Sequence, residues 1–384
     1  MILRQERLER ITTALERSPI VLLSGPRQCG KTTLAREFVP SDSLNYFDCE
    51  EPISLARLQE PMTALSGLRG TIVIDEVQRR PDLFPVLRVL ADRSDVDARF
   101  LVLGSASGTL LRQTSESLAG RLEVVPMEGF IIGEVPHEDN QRLWLRGGFP
   151  RSFLSKNDAD SWEWRKQFAA TLIERDLPTW GVRVASATLM RFWQMLAHYH
   201  GQIWNASEIS SAMGLSQPVV RNYLDIMTDA LVVRQLQPFH ANVLKRQVKS
   251  PKIMIRDSGL LHQLLGIKSE RDLLHHPRHG ASWEGWIIES ILSMVQPDAH
   301  WFWATHAGAE IDLVLEVGGR QIGIEVKRTD QPRITPSVTS ALKDLELDDV
   351  YIVYAGTKSF ALAPNIHACA KEDIAALILK NGVH

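Results

Sequence analysis

The 384 residues exceed what one ordinary core holds, so two or three domains are expected; 43 lysines and arginines against 46 aspartates and glutamates give a formal net charge of −3. So near a balance excludes a surface coated in positive charge, and any nucleic-acid site has to be a local patch. Cys29, Cys49 and Cys369 show no paired spacing, no apolar run approaches the roughly 18 residues of a membrane span, and the amino terminus lacks a signal peptide's apolar core, so a soluble, cytoplasmic chain is expected.

Leu8, Ile11 and Leu15 recur among charges at the spacing of an amphipathic helix. The apolar run Ile20-Val21-Leu22-Leu23 then reads as a strand. It leads into Ser24-Gly25-Pro26-Arg27-Gln28-Cys29-Gly30-Lys31-Thr32-Thr33, which fits GxxxxGK(S/T) between a strand and a helix. Gly25 and Gly30 let the loop curl so that the N–H groups of Pro26's neighbours, from Arg27 and Gln28 through Cys29 to Thr33, face phosphate oxygens at a helix N-terminus. Lys31 would reach the terminal phosphates, and Thr32 would place its hydroxyl on a magnesium ion.

Short apolar segments recur at 44–47, 71–75, 100–104 and 122–125, alternating with helical spacing such as 83–90. Near-continuous apolar strands predict a parallel sheet covered on both faces, with ligands at the carboxyl ends of its strands. In Thr71-Ile72-Val73-Ile74-Asp75-Glu76 the strand delivers two acids to that edge. Asp75 would hold the magnesium ion, and Glu76 would orient the attacking water or accept its proton. Ser105 ends the next strand, where it would sense the terminal phosphate. Arg121 reads either as an arginine finger, in its own chain or a neighbour's, or as a solvated surface arginine.

These segments, with Val73-Ile74-Asp75-Glu76-Val77-Gln78, Leu103-Gly104-Ser105 and Gly120-Arg121, resemble the AAA-type ATPases of bacteria and archaea that carry a restriction-endonuclease-like domain at the carboxyl end. The resemblance implies an α/β chain in three parts. A P-loop ATPase sheet domain would occupy 1–140, a helical and winged-helix-like domain 141–265, and an α/β restriction-endonuclease-like domain 266–384. ATP and Mg²⁺ are the implied cofactors, and a homo-oligomer is left open.

In the middle, 168–177 reads as a helix stopped by Pro178, and Leu189, Phe192, Trp193, Leu196 and Tyr199 mark another. A short helix from Asn205, a turn at Gly214 and a helix from about Gln217 to Met227 have helix-turn-helix spacing, with 231–236 and 252–255 as strands of a wing. Gln217 and Arg221 would face a DNA major groove, or the module serves protein contacts alone. Lys245, Arg246, Lys249 and Lys252 read as a basic loop that contacts phosphates, so DNA is a partner expected through 205–255 and the carboxyl domain. The cluster His275-His276-Pro277-Arg278-His279 reads as a solvated loop in preference to a metal site.

In the carboxyl segment, strands at 310–317 and 320–328 are joined by Gly318-Gly319, which favours a tight primed turn. Val317 then faces Arg320, Asp312 faces Glu325 and Glu310 faces Lys327. Ile311, Leu313, Leu315, Val317, Ile322, Ile324 and Val326 are expected on the opposite, core face, leaving the charges on one face, either as a cation site or as a solvated surface. Facing carboxylates repel unless a cation lies between them. Asp312, Glu325 and Lys327 match the D…(D/E)xK site of restriction-endonuclease-like nucleases, in which carboxylates hold magnesium and the lysine assists the attacking water. By the same resemblance Glu284 is a further acidic member, and Gly323 is expected to admit a substrate backbone. Ile311 stands where a PD motif has proline.

Overall fold

A computed structural model describes residues 2–93, 97–105, 117–239 and 247–380, with the backbone alone at Ser105. The chain divides into two units. One runs to Gly129 and also takes Asp229–Leu231; the other takes the rest from Phe130. The middle and carboxyl segments, expected as separate domains, lie together in the second compact unit.

The first unit is built on β1 (Ile20–Gly25), β2 (Tyr46–Asp48), β3 (Gly70–Asp75), β4 (Ala98–Ser105) and β5 (Leu122–Pro126). All are parallel, in the order β2-β3-β4-β1-β5. Alternate residues Ile20, Leu22, Ile72, Ile74, Phe100 and Val102 bury one face against Leu83, Phe84, Leu87 and Leu90 of the helix Leu83–Ala91. Val21, Leu23, Val73, Leu101 and Leu103 are as deeply buried, so the sheet is covered on both sides, as the continuous apolar strands predict. Parallel strands bring their carboxyl ends to one edge, where Gly25 pairs with Ser105 and Asp48 with Asp75.

The second unit contains two sheets. β6 (Gln202–Ile203), β7 (Val233–Leu236) and β8 (Lys252–Ile255) form an antiparallel sheet in the order β6-β8-β7. Helices of this segment include Ser186–His198, Ala206–Met213 and Gln217–Asp229. Asn205 caps the second through its side-chain oxygen, which accepts from the N–H groups of Ser207 and Glu208, and Gly214 ends it in the left-handed conformation. The helix, glycine turn and helix order of the sequence is found. Trp144, Trp193, Trp204, Trp283, Trp286 and Trp303 are buried, as expected of core tryptophans.

The other sheet holds β9 (Ala299–Ala304), β10 (Glu310–Val317), β11 (Arg320–Lys327), β12 (Asp349–Tyr354), β13 (Phe360–Ala363) and β14 (Ile366–Ala370), in the order β13-β14-β12-β11-β10-β9. β11, β12 and β14 run parallel and the remaining pairs antiparallel. The hairpin register is the expected one, with Val317 opposite Arg320, Leu315 opposite Ile322 and Leu313 opposite Ile324.

The face assignment needs correction. A register shift against β9 lies between Ile311 and Val314, and Ile311 joins Val314 in a cluster with Val338, Ala341 and Leu345. With the helix Pro336–Asp344 packed there and β10 buried from Ile311 to Leu315, neither face is solvated. Gly323 is also reassigned: a Cβ at this position would come within 2.7 Å of Leu347 Cδ1 and 3.2 Å of Val350 Cγ2, so it admits the protein's own core.

The helix His279–Val295 is pinned by two buried histidines. His200 Nδ1 accepts from the Ile255 N–H while its Nε2 lies 3.0 Å from Ala281 O; His262 bridges Leu145 O and Ser282 Oγ. Burial lowers both, to about 4 for His200 and about 3 for His262. Among the described residues no helix is long and apolar enough to cross a membrane.

Candidate functional site

The loop after β1 folds as a cradle for backbone reasons. Gly30 takes φ 102°, a value that favours glycine, and starts the helix Lys31–Ala35. At Gly25 a Cβ would meet Met127 O at 2.0 Å, so only glycine lets these segments approach. The Lys31 ammonium is buried and donates to Gly25 O and Pro26 O, both at 2.8 Å. Thr32 Oγ1 donates to Asp75 Oδ2 at 2.8 Å, and Tyr46 donates to the same oxygen at 3.0 Å. Asp75 Oδ1 accepts the Glu76 N–H at 2.9 Å.

Burial raises the Asp75 pKa against the lowering effect of Thr32 and Tyr46, and burial followed by the Asp75 charge raises Glu76. Glu76 itself has φ 52°, an uncommon backbone for glutamate, and its carboxylate accepts from Gln78. Oxygen donors at Thr32 and Asp75 suit a hard divalent cation, and they lie together at the helix start where phosphates would rest. The residues fit magnesium and a nucleotide.

The second set of polar groups lies in the second unit. Lys252 Nζ on β8 is 2.8 Å from Glu310 Oε1, 3.1 Å from Glu284 Oε1 and 3.5 Å from Asp312 Oδ1, and it stands 5.6 Å from the centre of the Phe302 ring. Asp312 Oδ2 accepts the Val326 N–H at 2.9 Å. Lys327 Nζ pairs with Glu325 Oε1 at 2.8 Å, while Glu325 Oε2 is buried without a hydrogen-bond partner among the described residues. Burial, and next the Asp312 charge, push Glu284 and Glu325 up to about 7. Burial alone would lower the Lys252 pKa, but Glu284, Asp312 and Glu310 hold it above its ordinary value.

The hairpin and the helix His279–Val295 thus bring Glu284, Asp312, Glu325 and Lys327 to one region. Among the described residues, however, no group of three or more histidines, cysteines or acids is placed to hold a metal ion. The Lys252 ammonium lies against Glu284 and Asp312, two of the acids expected to hold a divalent cation, and the Lys327 ammonium lies against the third, Glu325, so the side chains as arranged do not fit a bound metal. Near the carboxyl end of β11, a cavity of about 360 Å³ is lined by His137, Trp283, Trp286, Arg328 and Lys371, among others.

Residues 17–135 match a family model described as an AAA domain. Residues 137–271 and 279–371 match two models described as domains of unknown function, DUF8612 and DUF4143. Two mycobacterial proteins, each described as uncharacterized, are 50% identical to the chain over 374 residues: Rv2008c of Mycobacterium tuberculosis and Mb2031c of Mycobacterium bovis. Each alignment covers 97% of this chain and 85% of the relative. The chain belongs to their family. Among solved structures, a Walker-type ATPase of Pyrococcus abyssi is similar at 16% identity and a TM-score of 0.49, covering 69% of this chain and 96% of that one. With the AAA model matched across the sheet and the phosphate loop, the first unit is a P-loop ATPase domain.

Within that domain Lys31, Thr32, Asp75 and Glu76 come together as the sequence reading expects. The Ser105 backbone ends β4 beside Gly25, next to the cradle. Arg121 does not join them. Its carbonyl accepts the Ile20 N–H at the amino-terminal end of β1, and its guanidinium binds both oxygens of Asp92, at 2.5 and 2.8 Å. Five strand residues separate that edge from Gly25, roughly 16 Å at about 3.3 Å each, so Arg121 cannot serve as a finger for its own cradle.

Arg27, within the loop, and Arg79, three residues beyond Glu76, both reach Glu50 Oε1, at 3.4 and 2.6 Å. In the middle segment Gln217 and Arg221 are exposed, as expected. Lys252 is not: it is 2% exposed and bound to carboxylates, which removes it from the basic phosphate-contact patch. Lys245 and Arg246 lie outside the described residues. The 275–279 histidines are spent locally, His275 on Arg271 O and His279 on Arg328.

Proposed function

We propose that the chain binds ATP with magnesium at the 24–33 loop and hydrolyses the terminal phosphate. The observation that carries this reading is the Thr32–Asp75 hydrogen bond, which sets a hydroxyl and a carboxylate side by side at the mouth of the cradle. Lys31 would exchange the Gly25 and Pro26 carbonyls for phosphate oxygens. Glu76, its pKa raised by burial, is a better proton acceptor than an exposed glutamate and would take the proton of the attacking water. Ser105 would contact the terminal phosphate from the neighbouring strand. The magnesium ion, when bound, would neutralise phosphate charge. Loss of magnesium-dependent hydrolysis in Lys31→Ala and Glu76→Gln tests the assignment, and wild-type turnover in both would refute it.

What hydrolysis drives is read from the second unit. In one reading it is DNA binding or processing, with the helix Gln217–Asp229 docking through Gln217 and Arg221 as a winged-helix module, and Asp312, Glu325 and Lys327 acting with a metal as a nuclease-like centre. The other is a nucleotide-dependent switch for protein interaction, with a nuclease-like fold that does not cut. The position of Lys252 among the carboxylates favours the second. Magnesium- or manganese-dependent DNA cleavage abolished by Glu325→Ala would reverse that preference, and salt-sensitive DNA binding would restore DNA as the partner.

A further inference from the structure

Lys252 comes from β8, within the segment matched at 137–271, whereas Glu284, Glu310 and Asp312 come from the segment matched at 279–371. One ammonium therefore joins two stretches of chain that each match their own family model. It is enclosed: 2% exposed, with three carboxylates within 3.5 Å and the Phe302 ring as a further wall. Both Asp312 oxygens have a partner, Oδ1 with Lys252 at 3.5 Å and Oδ2 with the Val326 N–H at 2.9 Å. Glu325, 4% exposed, keeps one buried oxygen with no donor among the described residues, a carboxylate atom unspent beside a set of acids whose cation is already supplied.

Four acids, Glu284, Glu310, Asp312 and Glu325, with two lysines make a set whose charge a divalent ion would neutralise further, yet the geometry that such an ion needs is taken by an ammonium. We propose that Lys252 is the resident cation of this centre, and that while β8 is docked it excludes a divalent metal from Asp312 and its neighbours. An ammonium and a metal ion cannot both stand within bonding distance of the same Asp312 oxygen without strong repulsion. The inference rests on reading these acids as a metal-type centre, and it concerns metal binding, so it stands or falls apart from DNA cleavage.

The test is Mn²⁺ binding to the full chain without nucleotide, followed by electron paramagnetic resonance. Each protein is compared with its Asp312→Asn counterpart, so that binding elsewhere cancels. Wild type is expected to show no Asp312-dependent Mn²⁺. Lys252→Met is expected to gain one Mn²⁺ site, at least about tenfold tighter than any in wild type and lost on adding Asp312→Asn. An Asp312-dependent site in the wild-type chain would overturn the proposal, and this needs no Lys252 variant to fold. A folded Lys252→Met chain that binds no additional Mn²⁺ would overturn it equally.

Discussion

The hydroxyl of Thr32 donates to the Asp75 carboxylate at 2.8 Å, tying the first turn of the helix after β1 to the end of β3, two strands away across β4. Both groups offer hard oxygen donors, and both belong to the proposed magnesium site. Thr32→Val keeps the shape of the side chain and removes the hydroxyl. It is expected to raise the magnesium concentration for half-maximal hydrolysis by about tenfold or more while nucleotide is still bound, measured as ATP turnover against a magnesium series. An unchanged magnesium dependence would separate Thr32 from the metal.

Arg121 sits at the edge of the sheet opposite the cradle and is held by Asp92. Arg121→Ala is therefore expected to leave ATP turnover in dilute solution within about twofold of wild type, far from the roughly thousandfold loss that removal of an arginine finger causes. Turnover reduced a hundredfold or more would mean that a second copy supplies this arginine.

Glu289 is buried between Arg234, which reaches its Oε2 at 2.9 Å, and Arg256 at 3.1 Å. Burial alone would raise its pKa, but the two guanidinium groups outweigh it and hold the carboxyl at about 2. A depressed carboxyl contributes stability that is present above its unfolded value of about 4.3 and is lost as the pH falls through about 2. Thermal unfolding of the second unit should weaken across that interval, and Glu289→Gln should flatten the dependence. At neutral pH the same variant should cost about 3–5 kcal/mol, because the buried carboxylate that two half-buried arginines share is removed. A variant as stable as wild type at pH 7 would contradict this.

Gly323 packs against Leu347 and Val350, with no room for a methyl group. Gly323→Ala is expected to destabilise the second unit by about 1–3 kcal/mol, seen in chemical denaturation, without altering ATP turnover. If metal binding or cleavage changes while stability does not, the glycine would belong to a substrate path after all.

What could be read from the sequence was local. The cradle follows from a strand, two glycines and a helix start in one stretch, and the β10–β11 register follows from Gly318-Gly319 with alternating apolar residues on either side. The failures needed contacts distant in sequence. Nothing near Lys252 indicates that Asp312 and Glu284 will surround it, and beside Lys245, Arg246 and Lys249 it reads as surface charge. The register shift between Ile311 and Val314 depends on β9, and covering of the second face depends on Val338 and Ala341, neither visible in the hairpin itself. Of the two readings of Arg121, finger or surface arginine, topology bears on the first within its own chain: a residue just before a parallel strand lies at the far edge from one just after it.

The most direct test of the ATPase assignment is ATP turnover by the wild-type chain, Lys31→Ala and Glu76→Gln, each with nucleotide binding measured in parallel. The account predicts magnesium-dependent phosphate release by wild type, weak binding and no turnover in Lys31→Ala, and retained binding with turnover reduced at least about a hundredfold in Glu76→Gln. Equal turnover in wild type and Glu76→Gln would contradict it.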